Sequence, residues 1–102
     1  MGIFINGHKR FKTKYDNLEP SLKRKVDNVL DLLKAGDKGD FIQKKLHPKL
    51  YVRDGAKALF KHDIQSHRLI YTIVGKEDSK IYLILDLLTH KEYDVMFDYH
   101  TS

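Results

Sequence analysis

Residues 58–88 read ALFKHDIQSHRLIYTIVGKEDSKIYLILDLL, and this stretch decides the fold. Its β-branched, aromatic and aliphatic residues fall into three runs, Ala58–His62, His67–Val74 and Lys80–Leu88. Polar links, Asp63–Ser66 and Gly75–Ser79, separate them. Residues of this kind fit a pleated, half-buried surface, and short polar links between such runs mark hairpins. Three consecutive antiparallel strands are expected.

Upstream the period changes from two to 3.6. Leu22, Val26, Val29, Leu30 and Leu33 form the apolar stripe of a helix, with Lys23, Arg24, Lys25, Asp27, Asn28 and Asp31 on its other face. Pro20 suits the first turn and Gly36 the end, so the helix runs from about Ser21 to Ala35. Phe11, Tyr15 and Leu18 mark a shorter helix over Lys9–Leu18, preceded by a β-prone Ile3-Phe4-Ile5 and the turn signal Asn6-Gly7. Phe41–Leu46 is ambiguous, Asp54-Gly55 is a turn, and the tail Glu92–Tyr99 reads as a last helical turn or a short strand. Helices first and a meander after give an α+β domain, with two N-terminal helices packed on one face of a small, mostly antiparallel sheet. The other face is left partly open. With 102 residues, the whole of 1–102 is expected to be a single domain.

Composition narrows the function classes. Hydrophobic residues are 41% and charged residues 32%, enough for a core under a heavily charged surface, so disorder is not expected. The longest apolar run, Ile81–Leu88, is broken by Asp86. It is far short of the ~18 residues of a membrane span. The start, MGIFINGHKRF, lacks the pattern of a secretion signal and the Ser/Thr of a myristoylation site. A cytoplasmic protein with no membrane partner is expected. The absence of Cys excludes disulfides, thiolate metal sites and cysteine nucleophiles. The six histidines include no HxH or HxxxH spacing, and the chain has no GxGxxG, Walker or GxSxG motif. Neither a metal site nor any other cofactor is expected.

Charge is unevenly placed. Residues 1–62 hold 15 Lys/Arg against 7 Asp/Glu, and residues 63–102 hold 4 against 7. The basic part includes 8–14 (HKRFKTK), Lys23-Arg24-Lys25 and Lys44-Lys45. A basic face favours a polyanionic partner.

Hairpin register sharpens this. A turn centred in Asp63–Ser66 sets His62 opposite His67 and Lys61 opposite Arg68. Like charges directly opposite are destabilising, unless they splay into water or hold an anion. The next turn, centred on Glu77, sets Asp86 opposite Arg68, which gives this arginine a competing role in a sheet salt bridge.

The stretch Leu59–Ile73, with Arg68-Leu69-Ile70-Tyr71 opening its second strand, resembles the central hairpin of the RelE/ParE superfamily of bacterial toxins. Ile81-Tyr82-Leu83-Ile84-Leu85 followed by His90-Lys91-Glu92 is similar to the superfamily's last core strand and its basic exit. Phe11, Tyr15, Leu18, Leu22, Val26 and Leu30–Leu33 resemble its paired helices. The likeness covers most of the chain in order, on degenerate motifs.

The resemblance implies the toxin of a type II toxin–antitoxin system, neutralised by a cognate antitoxin. In the RelE, YoeB and HigB branches it implies an endoribonuclease that cuts messenger RNA in the ribosomal A site. In the ParE branch it implies a poison of DNA gyrase, and a non-toxic RNA-binding module of the same fold is a further alternative. The family's strand-borne lysine and arginine map onto Lys61 and Arg68, and its basic residue after the last core strand onto His90 or Lys91. Its C-terminal tyrosine aligns with Phe97, with Tyr93 and Tyr99 nearby.

Metal-independent RNA cleavage moves one proton off the 2′-hydroxyl and one onto the leaving oxygen, and must stabilise a charged phosphorane. Arginine's planar fork suits the phosphate, and histidine suits proton transfer near neutral pH. Lys61, Arg68, His90 and Lys91 are therefore the candidate catalytic residues, with His62, His90 and Lys61 the alternatives for acid or base. His62, Tyr93, Phe97, Tyr99, Lys44 and Lys45 are the candidate RNA-binding residues, the aromatics by stacking on an exposed base.

Overall fold

The computed structural model describes residues 2–42, 48–53, 56–76 and 78–98. Lys44, Lys45, Tyr99 and the expected turn at Asp54-Gly55 lie outside them. The elements are β1 (Gly2–Gly7), α1 (Lys9–Asp16), α2 (Pro20–Lys34), β2 (Asp40–Ile42), α3 (Lys49–Arg53), β3 (Leu59–Ile64), β4 (His67–Lys76), β5 (Ser79–Thr89) and α4 (His90–Tyr93). The chain then continues from α4 into a π-helical turn, Asp94–Asp98. The tail is thus helical, not a strand, and the ambiguous segment begins as the edge strand β2.

The five strands form one sheet in the order β1-β5-β4-β3-β2. β2, β3, β4 and β5 pair antiparallel, and β1 runs parallel to β5. α1 and α2 cover one face. Val26, Val29 and Leu33 of the expected stripe are buried there with Phe11, Leu69, Tyr71, Tyr82 and Ile84, while Leu22 and Leu30 pack partly buried against them. The opposite face carries a second core of Tyr51, Leu59, Ile70, Leu85, Leu88, Tyr93 and Phe97, roofed by α3, α4 and the π turn. This roof stops short of the sheet's β1 end, where Phe4 stays 58% exposed.

Register departs from the sequence reading at both hairpins. Ile64 pairs with His67, so the first turn is only two residues, Gln65-Ser66. Gln65 closes it with φ 52°, in the left-handed region that two-residue hairpins require. Arg68 therefore lies opposite Asp63, and Lys61 opposite Ile70. The expected Lys61–Arg68 pair is corrected to a diagonal, with both side chains still on the same face. His62 lies opposite Leu69, not His67.

In the second hairpin, Arg68 pairs with Leu88 and Ile70 with Asp86, but Tyr71 pairs with Ile84. Leu85 is the extra residue of a bulge, which changes the strand's parity. The expected Asp86–Arg68 salt bridge does not form. Asp86 is 1% exposed, and its carboxylate accepts from Lys14 Nζ at 2.7 Å, the Leu87 amide at 2.9 Å and the Tyr51 hydroxyl at 2.8 Å. A buried charge is tolerated only when paired and hydrogen-bonded in this way. Tyr51→Phe is isosteric and leaves one buried carboxylate oxygen short of a donor. It should lower unfolding free energy by about 1–3 kcal/mol. An unchanged urea midpoint would show that Tyr51 does not support Asp86.

Candidate functional site

The β3–β4 hairpin presents Lys61, Asp63 and Arg68 on one sheet face, because residues two apart on a strand share a side and Arg68 faces Asp63. One carboxylate oxygen joins the two cations. Asp63 Oδ1 lies 3.2 Å from Arg68 Nε and 3.5 Å from Lys61 Nζ. A second carboxylate, Asp40 Oδ2 on β2, lies 3.4 Å from Lys61 Nζ. The Lys61 and Arg68 side chains are 20% and 24% exposed, and Asp63 is 55% exposed.

Arg68 is held from beneath. Its guanidinium sits 4.3 Å from the centre of the Tyr93 ring. Tyr93 stacks on Phe97 at 4.3 Å, and Phe97 stacks on Tyr51 at 6.2 Å. Tyr93 is 8% and Phe97 1% exposed. With both faces of Tyr93 covered and Phe97 in the core, neither ring has a face free to stack on a base. Tyr93 seats the Arg68 guanidinium, and Phe97 backs Tyr93.

α4 places His90 and Lys91 at the exit of β5. Thr89 caps this helix: its hydroxyl accepts from the Glu92 amide at 3.1 Å, while the Glu92 carboxylate accepts from the Thr89 amide at 2.9 Å. The His90 amide donates to the Ser66 carbonyl at 3.0 Å, tying α4 to the hairpin turn. Both His90 and Lys91 are exposed. Lys91 borders a cleft of about 460 Å³, shared with Arg10, Lys14, Asp86 and the apolar Leu50, Leu88, Val95 and Met96. The structure thus brings Lys61 and Arg68 together, and sets His90 and Lys91 at the other end of the roof element that seats Arg68.

His62 points to the α1/α2 side of the sheet, away from Lys61. Its Nε2 lies 3.5 Å from Asp37 Oδ2. Asp37 accepts from the Gly39 amide at 2.9 Å. That bond, and next the nearby His62 ring, hold its carboxyl below the usual carboxylate range. Gly39 has φ +65°, and a Cβ there would collide with the Tyr71 hydroxyl and the Lys61 carbonyl. Only glycine lets the segment carrying Asp37 and Asp40 lie this close to β3.

The sequence reading missed Asp63, Asp40 and Asp37 as neighbours of the cations. Gly39 beside two aspartates was the available signal for the loop, but nothing in the sequence marked the two-residue turn that brings Asp63 to Arg68. It also missed Arg10 and Lys14 as companions of Lys91, since both sit within an unremarkable basic helix.

Comparison with known proteins agrees with this architecture. No family model and no curated protein matches the chain. Solved structures do. The archaeal RelE–RelB complex from Pyrococcus horikoshii OT3 matches with TM-score 0.62 at 20% identity, over 87% of this chain and 96% of that one. The intact E. coli RelBE toxin–antitoxin complex matches with TM-score 0.59 at 12% identity, over 84% and 94%. A mutant of E. coli toxin RelE in the free state matches with TM-score 0.62 at 12% identity, over 100% of both chains. The chain has the RelE fold. Among the described residues no helix is long and apolar enough to cross a membrane.

The α4 cap has a pH signature. The Thr89 amide, the largest influence, and Lys14 hold the Glu92 carboxyl below its ordinary value of 4.5. A depressed carboxylate contributes stability above its unfolded pKa and loses it as pH falls through the folded one. The stability gap between the wild type and Glu92→Gln should therefore be widest at neutral pH and close as pH falls below 4.5. Thermal melts from pH 3 to 7 measure it; a gap constant with pH would refute an ionic cap.

Proposed function

We propose that this chain is the toxin of a toxin–antitoxin pair and an endoribonuclease acting on messenger RNA in the ribosomal A site, with no metal in the chemistry. One observation carries the reading. In a RelE fold, Lys61 and Arg68 converge on a single oxyanion, here supplied by Asp63 at 3.5 and 3.2 Å. A scissile phosphate in that place would meet an arginine fork and an ammonium group, the donors suited to its developing charge. His90 is the candidate acid or base and Lys91 an additional cation, both exposed at the start of α4. The structures of RelE with RelB support a protein antitoxin as partner. The basic bias of residues 1–62 suits an acidic segment of such a partner, and cytoplasmic action would follow from a ribosomal target.

The burial of Tyr93 and Phe97 favours one competitor, a gyrase-directed toxin of the same fold, because RNA cleavage on the ribosome gains from an exposed stacking ring. Inducible expression followed by primer extension separates the two. Cleavage within translated codons supports the ribonuclease, whereas DNA damage with intact messages overturns it. Arg68→Ala should lower cleavage about 10²–10³-fold, the scale for one charge-stabilising donor. Its stability should fall by only about 1 kcal/mol, from the lost ring contact and exposed ion pair. Cleavage by Arg68→Ala at the wild-type rate would remove Arg68 from the site.

A further inference from the structure

Asp63 is an unexpected residue to find between two cations meant for a phosphate. Its Oδ1 lies within reach of both Lys61 Nζ, at 3.5 Å, and Arg68 Nε, at 3.2 Å. The fit is electrostatic and not directional: Arg68 Nε is buried yet makes no hydrogen bond, so the carboxylate sits near its N–H without accepting it. An ion pair lacking that alignment, at a carboxylate 55% exposed, is a contact that a better-shaped oxyanion can displace. Arg68 is held back from following Asp63 by the Tyr93 ring, whose centre lies 4.3 Å from its guanidinium. Of this pair, Arg68 is seated on a ring and Asp63 is the exposed member.

We propose that Asp63 is an internal competitor for the oxyanion position between Lys61 and Arg68. Its carboxylate stands in for a phosphodiester in the resting protein and must leave when RNA enters. This rests on the ribonuclease reading and adds to it a residue that sets the threshold for substrate entry. A single exposed phosphate or carboxylate gains little by displacing a carboxylate already present. A polynucleotide, anchored at several phosphates, gains the rest of its binding elsewhere and can impose the exchange. Asp63 thereby selects a long, multiply held RNA over small oxyanions. Asp40, 3.4 Å from Lys61, flanks the same position from β2.

The test uses the full chain and a short RNA with 2′-O-methyl sugars, which binds without being cut, followed by fluorescence anisotropy at low salt. Asp63→Asn, isosteric and exposed, should tighten binding about tenfold, the scale of two exposed ion pairs removed. Asp63→Glu, which keeps the charge, should stay near the wild type. Asp31→Asn makes the same net-charge change on the exposed side of α2 and should shift affinity less than twofold. Adding Arg68→Ala to Asp63→Asn should erase the gain. If Asp63→Asn matches Asp31→Asn, or if the gain survives the loss of Arg68, the competitor role is overturned while the ribonuclease reading stands. If no form binds the RNA, the competitor role is overturned, and the ribonuclease reading is judged by primer extension alone.

Discussion

A negative charge buried at 1% exposure, the Asp86 carboxylate, constrains most of this molecule. Left alone it would be prohibitively costly, so three donors must be delivered to it: Lys14 from α1, Tyr51 from α3 and the Leu87 amide from its own strand. The bulge at Leu85 turns Asp86 toward the second core, where Tyr51 waits. β1 pairs with β5 only as far as Ile84, and beyond it α1 takes over that edge. Arg10 donates to the Leu85 carbonyl at 3.3 Å and Lys14 to the Leu87 carbonyl at 3.2 Å. The end of β1, the position of α1, the bulge and the docking of α3 are therefore one solution to one electrostatic problem. Such a pair adds little net stability over an apolar substitute, but it punishes any rearrangement that separates the partners.

The same anchor reaches the proposed phosphate site. Tyr51, fixed at its hydroxyl by Asp86, stacks on Phe97, Phe97 on Tyr93, and Tyr93 on the Arg68 guanidinium. An exposed arginine side chain samples many rotamers, and ordering it on a ligand costs binding free energy. Seating it on a ring that is itself wedged into the core removes much of that cost beforehand. The aromatic tail thus fixes the position of the guanidinium.

Much of this was legible in the sequence, for a physical reason. The α2 stripe and the three strands follow from periodicity, which reports burial directly. Face membership also survived the error in the first hairpin, because the turn loses two residues, Asp63 and Ile64, both from the β3 side, which moves each partner by two and preserves parity. Lys61 and Arg68 therefore still share a face although they are not opposite each other. The turn itself was not legible: a two-residue hairpin is signalled by Asn-Gly or a similar pair, and here Gln65 adopts φ 52° with no sequence mark. The bulge was hidden for the complementary reason. One extra residue in a run of aliphatics leaves composition unchanged, yet it reassigns Asp86 from the surface of a hairpin to the centre of the protein.

The site's charge was the least legible feature, since an excess of lysine over 62 residues says nothing about what lies within 4 Å of each one. Folding places Asp37 against His62, Asp40 and Asp63 against Lys61, and Asp63 against Arg68. These contacts depend on Gly39, whose missing Cβ lets the acidic segment meet β3, and on the tight turn at Gln65. A chain that is basic by count is thus locally neutral where its candidate chemistry sits. Attraction of a polyanion over long range is set by the net charge, while entry of one phosphate is set by the carboxylates beside the cations. The two can be changed independently, because the first is spread over the helices and the second resides in Asp40 and Asp63.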